Sequence, residues 1–174
     1  MNDRTLQVFV ALGANLGDPA VQIGAAFNGL QQLPRAEVVN RSALYRSAPM
    51  GPQDQPDYVN AVCELCCDSN LDPLDLLDQM QALEAASGRE RDSQGANKSG
   101  HWGPRMLDLD LLLFGQQQIS STRLTVPHPG ILERNFVLVP LLEIAPEISI
   151  PGKGPAADFL KAQQDLGLQR LPEV

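Results

Sequence analysis

Residues 101–115 read HWGPRMLDLDLLLFG. From Leu107 to Phe114 the run is apolar except for Asp108 and Asp110, and Gly103-Pro104 and Gly115 bound it, which is the pattern of a strand. Residues two apart on a strand share a face. Asp108 and Asp110 therefore stand side by side, with Cα atoms about 6.5–7 Å apart, while Leu107, Leu109 and Leu111 point into the core. An ionised carboxylate taken out of water costs several kcal/mol unless it is paired or binds a metal, so the two aspartates call for a counter-charge. Such a pair can hold one or two Mg²⁺ ions; a half-exposed strand with a polar face would also show this alternation.

The neighbouring residues favour the first reading. Arg89, Arg91 and Arg105 precede the strand and Arg123 and Arg134 follow it, five arginines in a chain whose net charge is −8. Guanidinium forks gathered beside a carboxylate pair describe a site for a metal-bound polyphosphate. No G-x-x-x-x-G-K-[ST] stretch is present, so the phosphates are not held by a P-loop. His128, in TVPHPG, reads by itself as a turn residue; beside a phosphate site it can donate a hydrogen bond to an anion.

Outward from this strand, TLQVFVAL (Thr5–Leu12) predicts a first strand, residues 20–33 a helix, and Glu37–Arg46 a second strand. SAPMGPQDQP, residues 47–56, holds three prolines and a glycine and predicts a loop before a third strand, Asp57–Cys67. Apolar residues at 74, 76, 77, 80 and 83, with Asp72 as cap and Pro73 in the first turn, predict a helix over 72–87 closed by Gly88. A long polar loop, 89–104, leads back to the aspartates. Beyond them come a short strand near 118–120, a helix over 133–146 interrupted by Pro140, and a last amphipathic helix over 156–166. Strand, helix, strand, strand, helix, strand is the order of a ferredoxin-like α+β fold, a mainly antiparallel sheet between helices in three layers, α/β/α. The 174 residues suffice for one domain, 1–174.

The acidic balance, with pI near 4.6, argues against a nucleic-acid or membrane surface. The first residues lack a basic segment followed by a long apolar one, and no 18 apolar residues run together, so the expected location is the cytoplasm. Cys63-x-x-Cys66 suggests a zinc or redox pair, but on a strand these positions face opposite ways and no second pair exists; with Cys67 they are expected to pack as small apolar residues. Tyr58 and Asn60 do share a face, and with Phe136 they can form a slot for a flat heterocycle; alternatively Tyr58 and Phe136 are core aromatics.

GPQDQPDYVNAV, WGPRMLDLDLLLFG, RLTVPHPGILERNFVLVPLLEIAP and the N-terminal VALGANLG resemble, in order over residues 6–150, the signature stretches of the 6-hydroxymethyl-7,8-dihydropterin pyrophosphokinase family of folate biosynthesis. The resemblance implies transfer of pyrophosphate from ATP to the pterin's hydroxymethyl oxygen, with release of AMP. It implies that Asp108 and Asp110 bind two Mg²⁺ ions with ATP, and that Arg89 and Arg105 act with them on the phosphates. Glu84, Arg91, Trp102, Leu111, Arg123, Thr125, His128 and Arg134 fall on the ATP side. Ser47, Ala48, Pro49, Met50, Tyr58, Asn60, Phe136 and again Trp102 fall on the pterin side. The partners implied are these two substrates, and the chain is expected to act as a monomer, with loops 47–56 and 88–104 closing over them.

Two departures from the family pattern stand out. Pro129 follows His128 where the family often has tyrosine, and DSQGANKSGH, between Arg91 and Trp102, is longer than in compact members. The residues by themselves also admit a D-x-D nucleotide-sugar transferase, or a ferredoxin-like module that binds a small ligand without turning it over.

Overall fold

The computed structural model describes residues 4–51, 53–88, 104–161 and 167–172. In chain order they form β1 (Thr5–Ala14), α1 (Pro19–Gln31), β2 (Ala36–Arg41), β3 (Tyr45–Ser47), β4 (Tyr58–Asp68), α2 (Pro73–Ala86) and β5 (Asp108–Phe114). Then follow β6 (Ile119–Ser120), β7 (Thr125–Val126), α3 (Asn135–Ile144), β8 (Ser149–Ile150), β9 (Gly154–Pro155), α4 (Ala156–Lys161) and β10 (Gln169–Arg170). Helices α1 and α2 begin as their sequences dictate. Asp18 and Asp72 cap them, accepting from the N–H groups of Val21 and Leu74, and Pro19 and Pro73 occupy the first turn, where no N–H is needed.

The main sheet runs β10-β3-β4-β1-β5, with β2 also on β4, and its pairs are antiparallel. With β2 and β3 taken as one interrupted strand, the order is second, third, first, fourth: the ferredoxin-like arrangement that the sequence predicts. Strand β1 sits between β4 and β5 because it is apolar on both faces. Val8, Val10, Leu12 and Ala14 join the core under α1 and α2, with Ile23, Phe27, Leu30, Leu76 and Met80. Phe9 and Ala11 face the other way, into the core under α3 and α4, with Val137, Leu138, Leu141 and Ala156. Among the described residues no helix is long and apolar enough to cross a membrane.

Strand β5 changes character along its length. Leu107, Leu109 and Leu111 lie in the first core while Asp108 and Asp110 stay half-exposed on the opposite face. Further on every residue is buried, for a local reason: Phe9 faces Leu113 and Val10 faces Leu111, so Leu112 is an extra residue with no counterpart on β1. This bulge turns Leu112 and Leu113 both into the second core. Its free carbonyl is taken by the N–H of His128 at 2.9 Å.

Two expectations need correction, and a third is described only in part. The second strand is not continuous over 37–46, because Ser42 breaks it: its N–H bonds the Val62 carbonyl at 2.9 Å, but its hydroxyl, not a backbone carbonyl, accepts from the Val62 N–H at 3.0 Å. The helix near 133–146 starts at Asn135 and runs through Pro140 to Ile144 without interruption; the proline costs it only the bond to the Phe136 carbonyl, and the buried face of Val137, Leu138 and Leu141 outweighs that. The last helix is described only over Ala156–Lys161, since residues 162–166 lie outside the described set. Strands β7, β8, β9 and β10 add to the expected elements.

The cysteines behave as apolar filling. Cys63 and Cys67 are in the first core, Cys66 is on the other face, and all three are free thiols. Burial pushes the thiols of Cys63 and Cys67 up to about 12, so neither is a nucleophile at neutral pH.

Replacing Ser42 by Ala leaves the fully buried Val62 N–H without its acceptor and is expected to cost about 1–3 kcal/mol in urea denaturation. An unchanged midpoint would show that the break between β2 and β3 has another cause.

Candidate active site

One row of directly opposed residues crosses the sheet at its open end: Tyr45 on β3, Asn60 on β4, Gly13 on β1 and Asp108 on β5. Opposed residues share a face, so Asn60 and Asp108 point to the side of α3 with Gly13 between them, two strand spacings or roughly 10 Å apart. The next row on this face is Val62, Ala11 and Asp110. Gly13 and Ala11 thus make a shallow floor between the carboxylates and the amide. A Cβ at Gly13 would stand 3.6 Å from Asn60 Oδ1 and 4.0 Å from the Tyr58 ring.

The counter-charges demanded by the two aspartates are present in the chain. Asp108 is ion-paired with Arg105, three residues earlier in the turn that enters β5. Asp110 Oδ2 lies 3.5 Å from Arg134 Nη1, on the residue that precedes α3, and 3.6 Å from His128 Nε2. Their side chains are only 13% (Arg105), 18% (Arg134) and 20% (His128) exposed, so the charges act through a poorly hydrated space.

His128 is neutral here. Burial and the Arg134 guanidinium lower its pKa to about 4, against a weaker opposing pull from Asp108. Its Nδ1 accepts the Gly130 N–H at 3.1 Å, so the single ring proton sits on Nε2, facing Asp110. The ring is thus a fixed uncharged donor, as an anion in this corner would need.

On the far side of Gly13, Asn60 is buried, and its Nδ2 donates to the Tyr45 carbonyl at 3.2 Å and to Ser47 Oγ at 2.9 Å. These bonds turn Oδ1 toward Gly13. Ser47 is buried at the end of β3; Ala48 and Met50 are exposed and Pro49 is buried, with its carbonyl tied to Gln53 Nε2 at 2.9 Å. Tyr58 is half-buried beside Asn60, and Phe136, in the first turn of α3, packs against the second core.

The structure therefore brings Arg105, Asp108, Asp110, His128 and Arg134 together and sets Ser47, Tyr58 and Asn60 across Gly13 from them. Other sequence candidates stand apart. Arg123 and Thr125 are on the β6–β7 hairpin, where Arg123 is ion-paired with Asp78 of α2 on the surface. Glu84, 1% exposed, accepts the Leu109 N–H at 2.8 Å and so buttresses the outer edge of β5 from behind; Leu111 is sunk in the first core. Arg89, Arg91 and Trp102 lie outside the described residues.

Sequence reasoning passed over Asn15, which is 2% exposed. Its amide donates to Gln55 Oε1 at 3.1 Å and to the Pro56 carbonyl at 3.0 Å, and accepts the Arg105 N–H at 2.8 Å. One side chain thus ties the 47–56 loop to the arginine beside Asp108. An asparagine placed directly after a strand is the signal that was available.

Among the described residues no three His, Cys, Asp or Glu side chains gather as a metal group. Two carboxylates are nonetheless what Mg²⁺ arriving with a polyphosphate uses, since the phosphates and water supply its other ligands. Asp108 and Asp110 fit that requirement; a structural zinc site would not.

Comparison with known proteins agrees with this chemistry. The family model described as 7,8-dihydro-6-hydroxymethylpterin-pyrophosphokinase matches residues 9–146. A Pseudomonas aeruginosa protein named 2-amino-4-hydroxy-6-hydroxymethyldihydropteridine pyrophosphokinase is 47% identical over 166 residues, covering 95% of this chain and 97% of its own length. A Haemophilus influenzae protein of the same name is 42% identical, covering 95% and 98%. Among solved structures, Plasmodium falciparum HPPK-DHPS wild type with pteroate superposes with a TM-score of 0.68 at 14% identity, a likeness of fold. It covers 93% of this chain, which spans 43% of that longer one.

In the metal-free protein the His128 imidazole is expected to titrate at about 4 by ¹⁵N NMR. Because the unfolded chain takes up this proton first, near 6.5, the group's contribution to stability is complete above that pH and is lost as pH falls from about 6.5 to about 4. A midpoint at the ordinary 6.5 would refute the buried, neutral ring.

Proposed function

The chain belongs to the 7,8-dihydro-6-hydroxymethylpterin-pyrophosphokinase family, and from that premise we propose how its own residues divide the work. It is an ATP-dependent diphosphotransferase of folate biosynthesis, transferring pyrophosphate from ATP to the hydroxymethyl group of 6-hydroxymethyl-7,8-dihydropterin. The observation that carries the residue assignment is the row Asn60, Gly13, Asp108: an amide for a heterocycle and a carboxylate for phosphate chemistry, on one face with a bare glycine between them.

In this reading Asp108 and Asp110 hold two Mg²⁺ ions that come with ATP. Bound there, Mg²⁺ neutralises the polyphosphate and lowers the pKa of a nearby hydroxyl. Arg105 and Arg134, ion-paired with Asp108 and Asp110, are the guanidinium groups that would contact the phosphates of a nucleotide bound there. Arginine suits both partners because its fork matches a phosphate as well as a carboxylate. His128 offers Nε2–H to a phosphate oxygen without adding charge. Arg89, Arg91, Arg123 and Thr125 serve the nucleotide side, with Glu84 and Leu111 shaping the strand behind it.

Asn60 reads the polar edge of the pterin, Tyr58, Phe136 and Trp102 flank its ring, and the backbone of Ser47–Met50 closes the slot. No side chain is assigned as a general base: alignment of the hydroxymethyl oxygen with the β-phosphorus and charge neutralisation supply most of the rate. We further assign the chain as a single-domain, cytoplasmic monomer that binds neither nucleic acid nor membrane.

Production of AMP from ATP and the reduced pterin by the purified chain is the direct test. In that assay Asp108→Ala and Asp110→Ala are each expected to lower kcat by orders of magnitude while pterin affinity changes little, since the lost charge acts on the transition state. Wild-type turnover in both variants at millimolar Mg²⁺ would overturn the assignment. Asn60→Ala is expected to weaken pterin binding by about 1–3 kcal/mol, measured calorimetrically, with ATP affinity retained.

A further inference from the structure

Gly130, in the turn between β7 and α3, touches both groups that flank Asp110. A Cβ added to it would stand 2.6 Å from Nε, 2.8 Å from Cζ and 3.2 Å from Cδ of Arg134. The guanidinium stem therefore lies across the bare α-carbon of Gly130 on its way to place Nη1 3.5 Å from Asp110 Oδ2. The N–H of the same residue bonds His128 Nδ1 at 3.1 Å and so leaves the ring proton on Nε2, 3.6 Å from that oxygen. Gly130 is not one of the described glycines with positive φ, so the backbone does not require glycine here; the space does.

We propose that Gly130 is a positioning residue for phosphate handling at Asp110: the absence of its side chain opens the path by which Arg134 reaches the carboxylate, and its N–H holds His128 in the donor orientation. This rests on the nucleotide-side role of Arg134 given above. A methyl group at 130 meets flexible side-chain atoms and not backbone, so the chain keeps its fold and the guanidinium moves aside. The defect then falls on ATP and spares the pterin slot, which lies across Gly13. His128 keeps its orientation, because alanine retains the N–H.

The test is a double-mutant cycle of Gly130→Ala and Arg134→Ala, reading KM for each substrate, kcat, thermal midpoint, binding of a non-hydrolysable ATP analogue with Mg²⁺, and the His128 ¹⁵N shifts. Gly130→Ala is expected to lower kcat/KM for ATP about ten- to a hundredfold, as misplacement of a charged group does, with the pterin KM, the midpoint and the His128 shifts unchanged. Arg134→Ala is expected to lose at least as much, and the double variant no more than Arg134→Ala alone. Wild-type ATP kinetics in Gly130→Ala beside an impaired Arg134→Ala, or losses that simply add, would overturn the role of Gly130. Wild-type kinetics in Arg134→Ala would overturn the role of Arg134 and this proposal with it.

Discussion

Two like charges held side by side at the mouth of a strand that is otherwise buried are the constraint around which this molecule is arranged. Asp108 and Asp110 cannot both remain ionised in a poorly hydrated corner unless cations stand within a few ångströms. Lysine would bring a bulky hydration shell; arginine brings a weakly hydrated fork. The chain answers with Arg105 from the turn before β5 and Arg134 from the residue before α3, on either side of the pair. The carboxylates are thereby neutralised within the chain itself, by groups of the kind that also bind phosphate. A counter-charge supplied only with the nucleotide would leave the ligand-free protein with two uncompensated carboxylates.

The same strand also sets the boundary between core and site. On its first half it alternates, leucines inward and aspartates outward. At Leu112 the bulge shifts the register, so that the next residues fill the core under α3. The carbonyl released by the bulge captures the His128 backbone and brings its ring to the level of Asp110. A defect in the ladder is thus what joins the β7–α3 connection to the carboxylates. Glu84, from α2, satisfies the Leu109 N–H on the edge of β5 away from β1, the one strand that β5 pairs with among the described residues.

Much of this was legible in the sequence because it follows from local periodicity. Asp72-Pro73 announces α2 and Gly13 to Pro19 the turn into α1. The D-L-D-L pattern announces which way the aspartates face, and the arginines around them announce an anion site. What escaped depends on contacts between distant segments. Ser42 breaks the second strand by a side-chain bond to Val62, and Pro140 is tolerated because tertiary packing covers its helix. Strand β10 is two residues whose only signature is a partner on β3. In the site, Gly130 acts through what lies next to it in space, so composition and spacing are silent about it, and Asn15 is signalled only by its place directly after β1. Arg123 looked equivalent to Arg134 in the chain, yet one is paired with Asp78 at the surface and the other faces Asp110.

The position of β1 bears on how the chain acquires its shape during synthesis. It leaves the ribosome before either of its partners, β4 on one edge and β5 on the other, with Gly13 opposite both Asn60 and Asp108. Its second edge must wait until residue 114 has emerged, and its nearest neighbour in sequence, α1, covers only one of its apolar faces; the other waits for α3. Pairings between such separated segments pay the loop-closure entropy before they gain contacts, which slows folding and exposes the strand to wrong partners meanwhile. The floor beneath the substrates is consequently made before both of the strands that frame it and is enclosed only after the later of them has emerged.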